Sequence, residues 1–404
     1  MANEANGREA VILSGARTPI GRMLGGLASH SAPGLGAVAV RAAVERAGID
    51  TASVDEVLMG QVVQAGAGQA PARQAALGAG LPTTVSATTI NKVCGSGLKA
   101  VMMAASAIRA GDGEVYVAGG MESMSQAPFL VRDMRGGHRF GHSELVDANI
   151  HDGLWCSFEH WMMGEAGEVV ADEFEVTREE MDTYALESHR RALRAIEEGA
   201  FETEIVPVIV EGRRGTTTVT QDEGPRPDTS MEALARLPPV FRPDGRITAG
   251  NAPGLNDGAA AVVVTSRERA ADLGLKPLAR IVAYGQAAVE PLRIFTAPAR
   301  AMPVALERAG WTLDDVDLIE LNEAFAAQVL ANGRDMTAQG HNWDWAKVNV
   351  NGGAVALGHP VGCSGARVLV TLIHALQARG LRRGLAALCL GGGEAVAMAV
   401  EMDA

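Results

Sequence analysis

Aromatic residues are scarce in this chain: 8 Phe, 5 Trp and 3 Tyr among 404 residues. Layers packed from large rings are therefore excluded, and close contacts between small residues must take their place. Cysteines number four, Cys94, Cys156, Cys363 and Cys389. With no CxxC pairing and no histidine at finger spacing, no metal site is expected. A chain of this length buries enough surface to need no disulfide framework. No apolar run approaches the 18 or so residues of a membrane span, so no membrane association is expected. The opening MANEANGREA has no apolar leader core, and the closing MDA matches no retention or peroxisomal signal. These features read as a cytoplasmic protein with free thiols. Positive charge is also short: 35 Lys and Arg against 48 Asp and Glu leave a net charge of −13. That balance argues against a nucleic-acid partner. Hydrophobic residues at 47% and charged residues at 21% exclude a disordered chain.

Glycine is abundant instead, 48 of 404 residues, well above the ~7% of an average protein. Its distribution follows an internal repeat. Residues 43–57, AVERAGIDTASVDEV, align without a gap to residues 305–319, ALERAGWTLDDVDLI. Further on, VCGSGLKAV from Val93 parallels VGCSGARVL from Val361, and VAGGMESM from Val117 parallels CLGGGEAV from Cys389. Three segments in the same order make two related halves. Each half alternates helix and strand. Helical spacing runs over 34–47 with Gly48 as its stop, over 94–109, and from about Ser364 to Arg379; strands are expected over Val54–Val63, Val115–Ala118 and Leu385–Leu390. Such alternation predicts mostly parallel sheets with helices on both faces. Residues 121–247 break the pattern and read as an inserted loop domain, with one strong helix at 178–199 opened by a Thr177/Glu180 capping box. The expected organisation is a first half of 1–120 plus 248–270, the insertion at 121–247, and a second half of 271–404.

Four polar positions could carry chemistry. Cys94 precedes a helix that opens Gly-Ser-Gly, where the helix dipole would lower a thiol pKa and bare amides could face an oxyanion. A small buried hydrophobe is the plainer explanation. His359, in NVNGGAVALGHPVGCSG, is the one histidine of nine set in a glycine-dense loop. It could serve a cysteine nucleophile as base or simply lie on the surface. Cys389 ends a strand before Leu390-Gly391-Gly392-Gly393, where it could be a second acid/base or a core thiol. Asn322 and Glu323 follow a strand in ELNEAFAAQ, as site residues or as a helix cap. The repeat sets Asn322 against Gly60 and Cys94 against Gly362, so the halves diverge where chemistry could reside.

NKVCGSGLKA, GGMESMSQAP, TAGNAPGLNDGAA, LNEAFAAQ, NVNGGAVALGHPVGCSGAR and CLGGGEAVAM, in this order, resemble the thiolase family over nearly the whole chain. The resemblance implies an α/β fold, a five-layered αβαβα core of two similar halves with an inserted loop domain. It implies coenzyme A as substrate and product, with no permanently bound cofactor, acyl-CoA as the partner, and a homodimer or homotetramer. It makes Cys94 the acylated nucleophile, His359 its activator and Cys389 the acid/base of the second step. One oxyanion hole would join His359 to a water on Asn322, and the other would use the amides of Cys94 and Gly391. Arg226, Met162, Ala249, Pro253 and Phe325 would contact coenzyme A or the acyl group.

The chain departs from the family pattern at four of its positions. Pro253 stands where many members have Ser, and proline supplies neither hydroxyl nor amide donor. Met162 stands where acetoacetyl-type members often have His, a spelling closer to longer-chain degradative members. Arg226 has unusual neighbours, and Glu394 follows the glycines where a small or apolar residue is commoner. The implied activity is acyl-CoA C-acyltransferase, by thiolysis of 3-ketoacyl-CoA or condensation of two acyl-CoA. The competing readings are a ketoacyl synthase acting on carrier-protein substrates and a non-catalytic lipid-binding or scaffold subunit.

Overall fold

The computed structural model describes residues 8–212 and 215–403; the first seven residues, read above for a leader, and Ala404 of the closing MDA lie outside the described residues. Nine strands build the central ladder: β1 (Ala10–Arg17), β2 (Glu56–Gly60), β3 (Ser86–Ile90), β4 (Val115–Ser123), β5 (Asn256–Ser266), β6 (Ala279–Ala288), β7 (Leu318–Leu321), β8 (Arg383–Leu390) and β9 (Glu394–Met402). Their order is β7-β8-β9-β6-β1-β5-β4-β2-β3, and the two-residue strand Gly21–Arg22 pairs with β5. The repeat is visible in this order. Reading outward from the junction, β1-β5-β4-β2-β3 on one side answers β6-β9-β8-β7 on the other. The place of β3 is taken in the second half by a single parallel bridge from Ile319 to Val348. The halves meet where β1 and β6 pair, at Val11↔Arg280 and Ile12↔Ala279.

The expectation of mostly parallel pairing is not met. Only β2·β3, β2·β4 and β7·β8 are parallel. β5 enters beside β4 in the opposite sense after the long insertion, and β8 and β9 are joined by the tight Gly391–Gly393 turn, which enforces a hairpin. β1 and β5 are buried along their whole length, which is why they read as continuous apolar runs rather than alternating ones.

Helices α1 (Ala32–Ala47) and α2 (Pro71–Gly78) cover the outer face of the first half-sheet, packing on Val57, Val117 and Val263. Gly48 ends α1 in the left-handed region at φ +69°. Helices α3 (Ser96–Ala110) and α8 (Val361–Arg379) lie between the two half-sheets, with Leu98 and Leu369 in one cluster that also holds Val262 and Met398. Helices α6 (Pro298–Ala309) and α7 (Ala326–Ala338) cover the far face. These are the five layers αβαβα. Among the described residues α8 is the one helix long and apolar enough to cross a membrane, and 89% of it is buried within the protein as the middle layer.

The glycine surplus is explained at the α3/α8 crossing. A Cβ on Gly97 would lie 2.6 Å from the Ala366 nitrogen, and one on Gly365 would lie 2.5 Å from the Leu98 nitrogen. The backbones touch there, so no side chain fits.

Between β4 and β5 the chain forms three short hairpins and two longer helices, α4 (Met163–Glu173) and α5 (Arg178–Glu197). Thr177 and Glu180 form the reciprocal capping box of α5. β4 continues to Ser123, three residues into the segment read as insertion. Buried Arg17 fastens that segment to β1, its Nε 2.6 Å from Glu204 and its Nη1 2.7 Å from Asp222.

Candidate active site

The turn that carries Cys94 precedes α3. Val93 holds φ +46°, a conformation costly for a β-branched residue. Three local bonds fix it: the Val93 amide donates to Asn91 Oδ1 at 3.0 Å, the Lys92 amide donates to Ser96 Oγ at 2.8 Å, and Ser96 Oγ donates to the Val93 carbonyl at 2.6 Å. Cys94 is thereby presented at the surface of a pocket, partly exposed. Gly95 lets Leu390 pack against the turn, since a Cβ there would sit 2.1 Å from Leu390 Cδ2.

Burial opposes the dipole at Cys94. Burial pushes the thiol up to about 12, with the Glu122 carboxylate adding to the rise, against the pull of the amide N–H groups of Cys94 and Gly391. The helix begins only at Ser96, so the thiol lies short of its first turn. Cys389, at the end of β8, is buried and held well above the ordinary thiol range by that burial and by neighbouring Cys94.

His359 is buried, not a surface-loop residue. Its amide donates to Asn256 Oδ1 at 2.9 Å. Its Nδ1 lies 2.6 Å from Ser364 Oγ, which itself donates to the Pro360 carbonyl at 3.0 Å. With that proton committed, Ser364 accepts from His359 Nδ1–H, leaving Nε2 as the basic nitrogen. Burial, reinforced by Arg367, lowers the imidazole pKa to about 3. The resting site therefore holds a neutral imidazole beside neutral thiols. Asn322 Nδ2 lies 3.5 Å from His359 Nε2, while its buried Oδ1 has no protein partner. Glu323 is not a reacting group in this arrangement. It accepts from Tyr184, Ser188, Asn349 and the Val355 amide, which anchors the loop that carries Asn322.

Cys94, His359, Cys389 and Gly391 line one cavity of about 300 Å³ together with Met162, Pro253 and Phe325. Its far wall is aromatic: Phe325 meets Phe295 and Phe241 edge-on, with ring centroids 5.4 Å and 6.3 Å apart. Of eight phenylalanines in the chain, three gather here. Ala252 to Leu255 separate this cavity from an outer groove of about 450 Å³, lined by Ala249, Arg226, Arg22 and His189. The expected residues thus fall into two adjoining chambers, with Asn322 just behind His359. Sequence reasoning missed Arg22, Phe241, Phe295, Asn256 and Ser364. A signal for Ser364 existed, because the repeat sets it against Ser96, which ties the Cys94 turn as Ser364 ties His359.

Residues 10–268 match the family model of the thiolase N-terminal domain, and residues 275–402 match that of the thiolase C-terminal domain. The chain belongs to the thiolase family. It is 52% identical over 397 residues to an acetyl-CoA acetyltransferase of Pseudomonas aeruginosa, covering 98% of this chain and all of that one. An acetyl-CoA acetyltransferase of Cupriavidus necator is 52% identical over 394 residues, covering 97% of this thiolase and 99% of the relative. Among solved structures, the Bacillus anthracis acetyl-CoA acetyltransferase superposes with a TM-score of 0.95 at 46% identity, covering 98% of this chain and 99% of that one. The Syntrophomonas wolfei enzyme of the same name gives a TM-score of 0.96 at 41% identity, covering 98% and 100%. This thiolase is an acyltransferase.

Proposed function

We propose that this thiolase moves acyl groups between coenzyme A thioesters through an acyl-Cys94 intermediate, cleaving 3-ketoacyl-CoA with free coenzyme A or condensing two acyl-CoA. The observation that carries this reading is the meeting of Cys94, Cys389, His359 and the Gly391 amide in one apolar cavity beside a groove with two arginines. The relatives named acetyl-CoA acetyltransferase support acyl-CoA over a carrier-protein substrate.

In the first half-reaction of thiolysis His359 Nε2 takes the Cys94 proton as sulfur attacks the 3-keto carbonyl. The new C–S bond forms and the C–C bond from that carbonyl to the α-carbon breaks. The developing oxyanion is met by the amides of Cys94 and Gly391, the same groups that pull the Cys94 thiol pKa down against its burial. In the thiolytic direction, the leaving group is the enolate of an acyl-CoA, and protonated Cys389 supplies the proton to its α-carbon. The protonated His359 Nε2 and Asn322, 3.5 Å apart, are the groups assigned to stabilise its oxygen. Incoming coenzyme A then gives its thiol proton to Cys389 and takes the acyl group, and His359 returns its proton to the freed Cys94 thiolate, which restores both cysteines and the neutral imidazole. Condensation runs these steps in reverse. Burial suits Cys389 to this work, because a thiol kept neutral is a proton donor at neutral pH.

Arg22 and Arg226 at the outer groove supply the local positive charge that an anionic coenzyme needs against a net −13. A homodimer or homotetramer is proposed as well; the sheet ends at β3 with an unpaired edge.

The test is Cys94→Ser. The variant should fold normally, lose acetoacetyl-CoA thiolysis by at least ~10³-fold, and show no thioester adduct by intact mass. Full activity in that variant would end the assignment.

A further inference from the structure

Two glutamates align in the sequence repeat but stand on non-equivalent strands, Glu122 near the end of β4 and Glu394 at the start of β9. Aligning VAGGMESM with CLGGGEAV sets Glu122 against Glu394. Each sits at one end of an interior strand of its own half and reaches the entrance of the other half's central helix. Glu122, fully buried, accepts from the Val62 amide at 2.9 Å and the Gly362 amide at 3.0 Å on the same oxygen, Oε2, and from the Val63 amide at 3.2 Å on Oε1. Glu394 pairs with Lys92, two residues before Cys94.

What Glu122 joins is specific. Gly362 is the second residue of α8, three after His359. The Val62 carbonyl accepts from Asn91 Nδ2 at 3.3 Å, and Asn91 Oδ1 is the acceptor that caps the Val93 amide in the nucleophile turn. One carboxylate oxygen therefore lies between the chain segment that aims Cys94 and the segment that aims His359. The surroundings are shaped to allow this. A Cβ on Gly362 would lie 2.7 Å from Glu122 Oε2, and one on Gly120 would lie 2.0 Å from the Gly362 carbonyl. Two glycines in contact let the backbone donor reach the carboxylate.

We infer that Glu122 is a positioning residue of the reaction, its bridging Oε2 holding the Cys94 turn and the His359 loop in register across the two halves. The Lys92–Glu394 pair is a second link between the halves, from the start of β9 to the turn before α3. It is the weaker of the two, because both side chains are partly exposed, at 24% and 41%. The inference rests on the reading that Cys94 and His359 carry the reaction.

The test uses the intact enzyme with kcat expressed per active site, counted by acylation. Glu122→Gln can keep a carbonyl oxygen at the bridging position and give up only the Val63 bond, so it should retain kcat within about 3-fold. Glu122→Met and Gly362→Ala remove or displace the bridge and should each lower kcat by roughly 10²-fold, the cost of misplacing reacting groups by about 1 Å. KM for acetyl-CoA should hold within about 2-fold, and alkylation of Cys94 by iodoacetamide should slow in parallel. A carboxylate that served only folding would lower the count of active sites and leave the rate per site and the alkylation rate untouched. That result overturns the inference. If neither disruptive variant folds, Lys92→Met decides. It should slow Cys94 alkylation a few-fold, with recovery in the exchanged pair Lys92→Glu plus Glu394→Lys, and an unchanged rate rejects the link. Cys94→Ser run alongside separates the two ideas, because activity surviving in it would defeat the nucleophile assignment, whatever the Glu122 variants do.

Discussion

Ser364 Oγ accepts the Nδ1 proton of His359 across 2.6 Å while giving its own proton to the Pro360 carbonyl. This relay fixes which imidazole nitrogen is basic and which way the ring faces. Ser364→Ala should therefore lower kcat by roughly 10- to 100-fold, on the scale of losing an orienting partner, with little change in KM. Stability should fall by about 1 kcal/mol for the lost buried hydrogen bond. Steady-state kinetics and thermal melts of the same preparation check both.

The apolar cavity around Cys94 extends past the reacting carbons to Met162, Phe295 and Phe325. Substrates longer than acetoacetyl-CoA should therefore be accepted, with kcat/KM for 3-ketohexanoyl-CoA at least comparable to that for acetoacetyl-CoA. Filling the chamber with Met162→Trp should cut the longer substrate by about 10-fold or more relative to the shorter, the scale on which a hydrophobic pocket discriminates by size. Equal losses on both substrates would place the acyl chain elsewhere.

Arg22 and Arg226 stand at the mouth of the outer groove. Replacing both with Gln should raise KM for acetyl-CoA roughly 3- to 30-fold, as expected for partly solvated charge-assisted contacts, and leave kcat nearly unchanged. The dependence of KM on ionic strength should flatten with it. A KM that still climbs with salt in the double variant would assign the attraction to other charges.

His189 is buried beside both arginines, and burial, then Arg226 and Arg22, lower its pKa to about 4. The unfolded chain protonates this side chain near pH 6.5, and the folded protein only near 4. Its contribution to stability is thus lost as pH falls from 6.5 toward 4, and the protein loses more than it would without the residue. His189→Gln keeps an acceptor for the Arg226 amide, which His189 Nδ1 receives at 3.2 Å. The variant should lose fewer degrees of Tm than the parent between pH 7 and pH 4.5, by a few °C. Parallel curves would place the acid sensitivity in other groups.

Much of the architecture could be read from local chemistry. The α1 stop at Gly48 and the Thr177/Glu180 cap of α5 are short-range devices, and both are where their residues place them. The repeat anticipated the matching of α3 with α8 because both begin with the same small residues at a backbone contact. Strand direction was not legible. β5 lies beside β4 only after the whole insertion has intervened, and no residue in either strand encodes that return. The same holds for the site. Cys94 and His359 stood out through their glycine settings, whereas Arg22, Phe241 and Phe295 carry no local mark and matter only through what folds against them. The acidity of Cys94 was misjudged because proximity to a helix end is visible in sequence and burial is not.

The middle layer has a consequence for how the molecule holds together. α3 comes from the first half and α8 from the second, and each packs against both half-sheets in one cluster. A cut between residues 268 and 275, where the two family domains part, would leave each fragment with half of a shared interior and a sheet face open to water. Neither fragment could bury its central helix until it met the other. The two family domains share one interior, and the candidate site sits on the seam between them.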